Sequence, residues 1–191
     1  LKWENVFRQH ENKKTKFILK DSAKEKIMGM IANYQLVNEN ELERMRELVE
    51  GGKASDLMGY IETLQEKEET EILDIDKMWD VMHFIFTGID SMNPIDDNPL
   101  SEAVVGQHVI GEEDFISVTE SQRAGVIVEA LENFDIDTAL ANFSMEECKN
   151  AELYPDIWDY EDEADDIKEE IKDYYDEFIK LYKTAVKGNM S

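Results

Sequence analysis

Asp76, Asp80, His83 and Thr87 recur at i, i+4, i+7 and i+11 within the segment Leu73–Gly88. If that segment is helical, about 3.6 residues per turn bring all four to one side. An imidazole held between carboxylates has its charged form favoured, so its pKa rises, and it suits general acid–base work or a proton-linked ligand contact. The plainer reading of a single His on a mostly apolar helix is a hydrogen bond to a carbonyl or an acid, with no chemistry. Metal ligation has little behind it. There is no HExxH pattern, His10 and His108 stand alone, and the single cysteine, Cys148, excludes a Cys-based zinc site.

Two further stretches carry chemical residue types. In Pro99–His108, Ser101 can cap a turn and Glu102 sits near its start, but the serine is not in a GxSxG elbow. His108 falls in a strand-like run, facing either solvent or a cleft. In Ala151–Trp158, Tyr154 and Trp158 are amphipathic aromatics around Pro155. They can wall a ligand cleft or seal the entry to the following helix. The candidate pocket is therefore Asp76, Trp79, Asp80, His83, Thr87, Glu102, His108, Tyr154 and Trp158. No catalytic residue is assigned, and no metal or cofactor is expected: Gly-rich phosphate loops, Walker patterns and useful Cys–His pairs are missing from the sequence. Cys148 lies beside Glu146 and Glu147, which oppose a thiolate.

These residues need elements to hold them. The pattern predicts a helix from Asp74 or Asp76 to Gly88, burying Met78, Trp79, Met82, Ile85 and Phe86. Before it, Gly29–Val37 reads as a strand. A helix over Glu41–Glu50 follows, capped by Asn38 or Asn40, with Leu42, Met45, Leu48 and Val49 inward. A second helix, capped by Ser55 or Asp56, turns Leu57, Met58, Ile61 and Leu64 inward. After it, Leu100–Gly106 reads as a short helix or turn. Ala103–Ile110 and Asp114–Val118 read as short strands. Helices follow from Thr119 or Ser121 to about Asn133 and over Ile136–Phe143, and Ser144–Glu147 matches a capping box. A long helix closes the chain from about Glu161 to Lys187. Its apolar seam is Ala164, Ile167, Ile171, Tyr174, Phe178, Leu181 or Tyr182, and Ala185.

Charge limits the function. The chain has 191 residues, 20 Lys+Arg against 45 Asp+Glu, and a formal net charge of −25. Such a balance opposes nucleic-acid binding and docking on anionic lipid. No apolar run approaches the roughly 18 residues of a membrane span. The lack of an apolar leader segment makes a cytoplasmic location the expectation. Residues 1–27 carry eight bases and four acids, whereas the remaining 164 carry 12 bases and 41 acids. That break divides the chain into a basic N-terminal extension, 1–27, and a main domain, 28–191.

The start Met28–Ile31, the block Leu73–Asp74–Ile75–Asp76–Lys77 through Trp79 and His83 to Gly88, the run Pro99–Gly106, and Tyr154–Pro155 with Trp158 together resemble the YfbM-like family of bacterial proteins of unknown function. The resemblance covers residues 28–191. It implies an α/β (α+β) fold of three layers: a small mixed sheet sandwiched by helices, with a long C-terminal helix. It also implies one more short apolar strand after the glycine of the last helix, here Gly188. No reaction follows from it.

Two functional expectations result. The first is a small acidic cytoplasmic binding protein of the inhibitor or immunity type, acting on a basic protein partner by field complementarity. The alternative is a small-molecule binder or enzyme with a cleft around Asp76, Asp80, His83 and Tyr154, where His83 is the acid–base group.

Overall fold

Asn38 sets where the first helix begins. Its side-chain oxygen accepts from the backbone N–H of Asn40 and Glu41, and the Glu41 carboxylate accepts from the Asn38 N–H in return. This reciprocal box satisfies donors that the first turn leaves open. The computed structural model describes residues 30–67, 71–111 and 115–191; the expectations for 1–27 lie outside them. The order is β1 (Asn33–Gln35), α1 (Glu39–Glu50), α2 (Leu57–Gln65), β2 (Ile72–Asp74), α3 (Trp79–Thr87) and α4 (Pro99–Val105). Then come β3 (His108–Gly111), β4 (Ile116–Val118), α5 (Ser121–Asn133), α6 (Ile136–Ala141), α7 (Met145–Asn150) and α8 (Ala164–Gly188). Among the described residues no helix is long and apolar enough to cross a membrane.

The expected class, helices around a small β component with a long last helix, is what the chain forms. The β component differs in detail from one mixed sheet. Among the described residues it consists of two separate antiparallel ladders, β1–β2 and β3–β4. Asn33, Tyr34 and Gln35 pair with Asp74, Leu73 and Ile72, while His108 and Val109 pair with Val118 and Ser117. Strands of three or four residues leave little ladder on which further strands could build. In β3–β4 an irregularity between Val109 and Gly111 interrupts the register. Val37 adds one contact of its own, exchanging both backbone hydrogen bonds with Ser191 at 2.9 and 3.0 Å. The residues after Gly188 thus make a single strand-like pair.

The main core lies between α3, α4, α5 and α8. From α8 come Ile167, Ile171, Tyr175, Phe178, Tyr182 and Ala185, packed chiefly against α5 through Ala124, Ile127 and Leu131. Each fully buried aliphatic side chain is worth about 1.5–3 kcal/mol. The α8 seam buries Tyr175 and leaves Tyr174, the expected member, half-buried. Tyr175 reaches the Leu131 carbonyl at 2.6 Å, a partner that a tyrosine one step round the helix does not have. Two other hydroxyls, of Tyr34 and Tyr182, donate to the carbonyls of Val104 and Ala103 and fasten the end of α4. A second, smaller core gathers Val37, Leu42, Met45, Leu57, Leu64 and Val118 beneath α1 and α2. Met58, expected inward, lies on the exposed side of α2.

Candidate functional site

The helix expected from Asp74 or Asp76 starts later, at Trp79. The residues before it form β2 and a turn. Asp76 has φ +46 and donates its N–H to the Asp74 carboxylate at 2.8 Å, so it is exposed and outside the helix. An aspartate that bonds a backbone N–H two residues on favours such a turn over a helical start. The four-residue ridge is therefore three residues long: Asp80, His83 and Thr87. Gly88, at φ +77, supplies the left-handed residue that ends α3.

His83 has no exposed surface. Its Nδ1–H donates to the carbonyl of Ile89 at 2.8 Å, which leaves Nε2 as the acceptor of the Ser101 hydroxyl at 2.7 Å. Ser101, equally sealed, accepts in turn from the Ile95 N–H at 3.0 Å. Thr87 donates back to the His83 carbonyl at 2.7 Å and accepts from the Ile89 N–H at 3.2 Å. This places His83 at the centre of a clasp that holds the loop 88–98 on α3 and α4. Burial disfavours the imidazolium and lowers the His83 pKa, outweighing the Ile89 carbonyl and the charges of Asp80 and Asp90, which raise it. The expected rise is thus reversed, because desolvation is the larger effect.

Asp80, 5% exposed, is the second fixed point. One carboxylate oxygen accepts from the Ser91 N–H at 2.8 Å and the Ser91 hydroxyl at 2.7 Å; the other accepts from the Tyr154 N–H at 2.9 Å. Glu102 meets Arg123, which donates through Nε and Nη2 to the two carboxylate oxygens and through Nη2 to the Asp97 carbonyl. A bidentate pair of this kind is geometrically specific. Trp158 is buried, with its indole N–H on the Leu153 carbonyl at 2.7 Å. Trp79 and Tyr154 stack at 5.4 Å and 27°, both half-buried. His108 stands exposed on β3 in the other ladder.

The structure therefore forms two hydrogen-bonded groups on α3, Asp80 with Ser91 and the Tyr154 N–H, and His83 with Ser101, Thr87 and the Ile89 carbonyl, and sets Trp79 against Tyr154. It does not bring Asp76 or His108 to them. Glu102 adjoins Ser101 but turns to Arg123. Of the residues expected around a cleft, His83 and Asp80 are sealed, Tyr154 is half-buried and Asp76 is exposed. Ser101 and Ser91 were absent from the candidate set, and they are the groups that saturate His83 and Asp80. The Ser101–His83 pair has nucleophile–base geometry, but its serine also holds a backbone N–H and its imidazole faces a carbonyl. Among the described residues no three His, Cys, Asp or Glu side chains gather as metal ligands would. A concavity of about 180 Å³ lies elsewhere, between Phe84, Ile85, Asn142, Phe143 and Cys148. Burial pushes the Cys148 thiol up to about 12.

Residues 28–191 match the family described as a domain of unknown function, DUF1877. The chain belongs to that family. It is 29% identical over 132 residues to Protein YfbM of Escherichia coli (strain K12), covering 68% of this chain and 75% of that protein. The crystal structure of YfbM, titled as a protein of unknown function, superposes with a TM-score of 0.70 at 24% identity, over 84% of this chain and 96% of that one. That likeness establishes a shared overall fold. The family description and both YfbM titles assign no activity.

Proposed function

We propose that this chain is a small cytoplasmic protein-binding module of the inhibitor or immunity type. A basic partner would dock on its acidic surface, with the Trp79–Tyr154 stack as the anchor. One observation carries the reading. The groups capable of chemistry, Asp80, His83 and Ser101, are sealed and saturated, whereas the same network delivers a half-buried aromatic pair to the surface. Exposed acids follow closely in sequence: Asp76 before Trp79, and Glu152 and Asp156 around Tyr154. Aromatic faces attract Lys and Arg cations, and neighbouring carboxylates add a long-range field that speeds encounter.

The test is a 15N NMR titration with an Arg/Lys-rich decapeptide, following the backbone amide and indole N–H signals. The reading expects saturable shifts centred on Trp79 and Tyr154, and their loss in about 0.5 M salt, where the Debye length is only a few ångström. Asp76→Lys with Asp156→Lys should weaken binding at least tenfold. Small shifts spread evenly over all acidic residues would overturn it.

A further inference from the structure

The outer face of α8 carries an ordered charge pattern. Asp166, Glu169, Asp173 and Asp176 are followed by Lys180, Lys183 and Lys187, at spacings of three and four throughout, and all seven are exposed. That spacing keeps them in one line along a helix. The stripe is negative over its first half and positive over its second, so its charge reverses about the middle of the helix. The helix dipole favours this order within one turn of each end. It does not call for Lys180 or Asp173, which lie well inside.

Reversed, six of the seven charges meet opposite partners, and only Asp176, at the centre, meets its own copy. We propose that this face of α8 binds a second copy of this chain, with the two helices antiparallel about a two-fold axis near Asp176 and Glu177. Asp166 then faces Lys187 of the other copy, Asp173 faces its Lys180, and Glu169 faces its Lys183; the two-fold axis repeats each pair. The contact is isologous, so it closes as a dimer and does not propagate. The lysine half also borders an open groove of about 320 Å³, lined by its three lysines with Ile179, Thr184 and Asp176.

The present partners of these lysines are replaceable. Lys183 meets Glu132 at 2.6 Å and Lys180 meets Glu177 at 3.2 Å, with about half or more of each side chain exposed. Exposed pairs of this kind are weak and exchange readily. Each copy also carries a net charge of −25. That repulsion is screened beyond about 8 Å at physiological salt, whereas the pairs across the stripe are in contact. The dimer is accordingly weak and has a salt optimum: very low salt exposes the net repulsion, and high salt removes the pairs.

Sedimentation equilibrium of the full chain, from about 10 μM to 1 mM, should show mass rising from 22.2 kDa towards twice that value. Two triple variants decide the cause. Lys180→Glu/Lys183→Glu/Lys187→Glu should weaken association at least tenfold. Asp166→Lys/Glu169→Lys/Asp173→Lys should do so too, although it lowers the net negative charge. An equimolar mixture of the two should associate at least as tightly as the unaltered chain. Melting curves check that both variants fold; the altered positions lie opposite the buried seam. A chain that stays monomeric at 1 mM across the salt series overturns the proposal. So does an Asp/Glu→Lys variant that self-associates as well as the parent, or a mixture that does not associate.

Discussion

Replacing Asp80 tests whether the polar cluster is structural. Its carboxylate accepts three hydrogen bonds from two segments distant in sequence, the Ser91 N–H and hydroxyl and the Tyr154 N–H. Asp80→Ala strands two backbone donors and a hydroxyl, with Ser91 itself buried. A buried donor left unmet costs about 1–3 kcal/mol. Three such donors sum to about 3–9 kcal/mol, against a total of about 5–15 kcal/mol for a domain. Asp80→Asn keeps an oxygen for Ser91 but turns an NH2 towards the Tyr154 N–H, so about 1.5–3 kcal/mol is expected. Urea unfolding followed by circular dichroism gives both values, and tryptophan fluorescence reports the Trp79–Tyr154 stack. The order Ala worse than Asn, with the stack loosened in both, is the expected result. An Asp80→Ala variant within about 1 kcal/mol of the parent would refute the reasoning, because no fold that depends on those donors could lose their acceptor so lightly.

Three other outcomes follow from the same geometry. His83 is held neutral with its pKa lowered, so the unfolded chain binds the extra proton: its share of stability is complete above about pH 6.5 and is lost as pH falls from there towards the folded pKa. His83→Gln should therefore be less stable at pH 7 yet show a shallower loss between pH 7 and 5, and an equal slope in both proteins would remove the argument. Cys148, buried with its thiol pushed up to about 12, should not react with a disulfide reagent at pH 8 until urea unfolds the chain; rapid native labelling is the contrary result. Gly106 has φ +77, and an added Cβ would lie 2.5 Å from the Ser117 hydroxyl, so Gly106→Ala should cost about 2–4 kcal/mol, whereas Gly125→Ala, in open space on α5, should gain about 0.5–1 kcal/mol in thermal or urea unfolding.

Much of the helical scaffold was legible in the sequence. A cap at Asn38 or Asn40 announced α1, and the apolar spacing of Ala124, Ile127 and Leu131 announced α5, because local capping and one-sided burial act within a few residues. β2 was hidden, since three residues between acidic stretches carry no period of their own and form a strand only because β1 is there to pair with. The site was legible in its parts, and the plainer reading of His83, a hydrogen bond to a carbonyl, is the bond that Ile89 makes. The spacing of Asp80, His83 and Thr87 did mark one side of a helix. What faces that side is decided by Ser91, Ser101 and the N–H of Tyr154, which reach it through tertiary folding from 11, 18 and 74 residues away. The direction of the His83 pKa shift was missed for the same reason, as burial is set by the whole packing and not by neighbours along the helix.

The apolar interior is divided unequally. The pair α1–α2 rests on its own small cluster, while α3, α5 and α8 share the large one. Cooperative units with less burial open at lower free energy than the molecule as a whole. Amide protons of α1 and α2 will thus exchange with deuterated solvent well before those of α5 and α8, and proteases will nick the first pair while the rest stays folded. Among the described residues α1 and α2 open first, and the indole–phenol stack that the partner reading relies on is carried by the larger cluster.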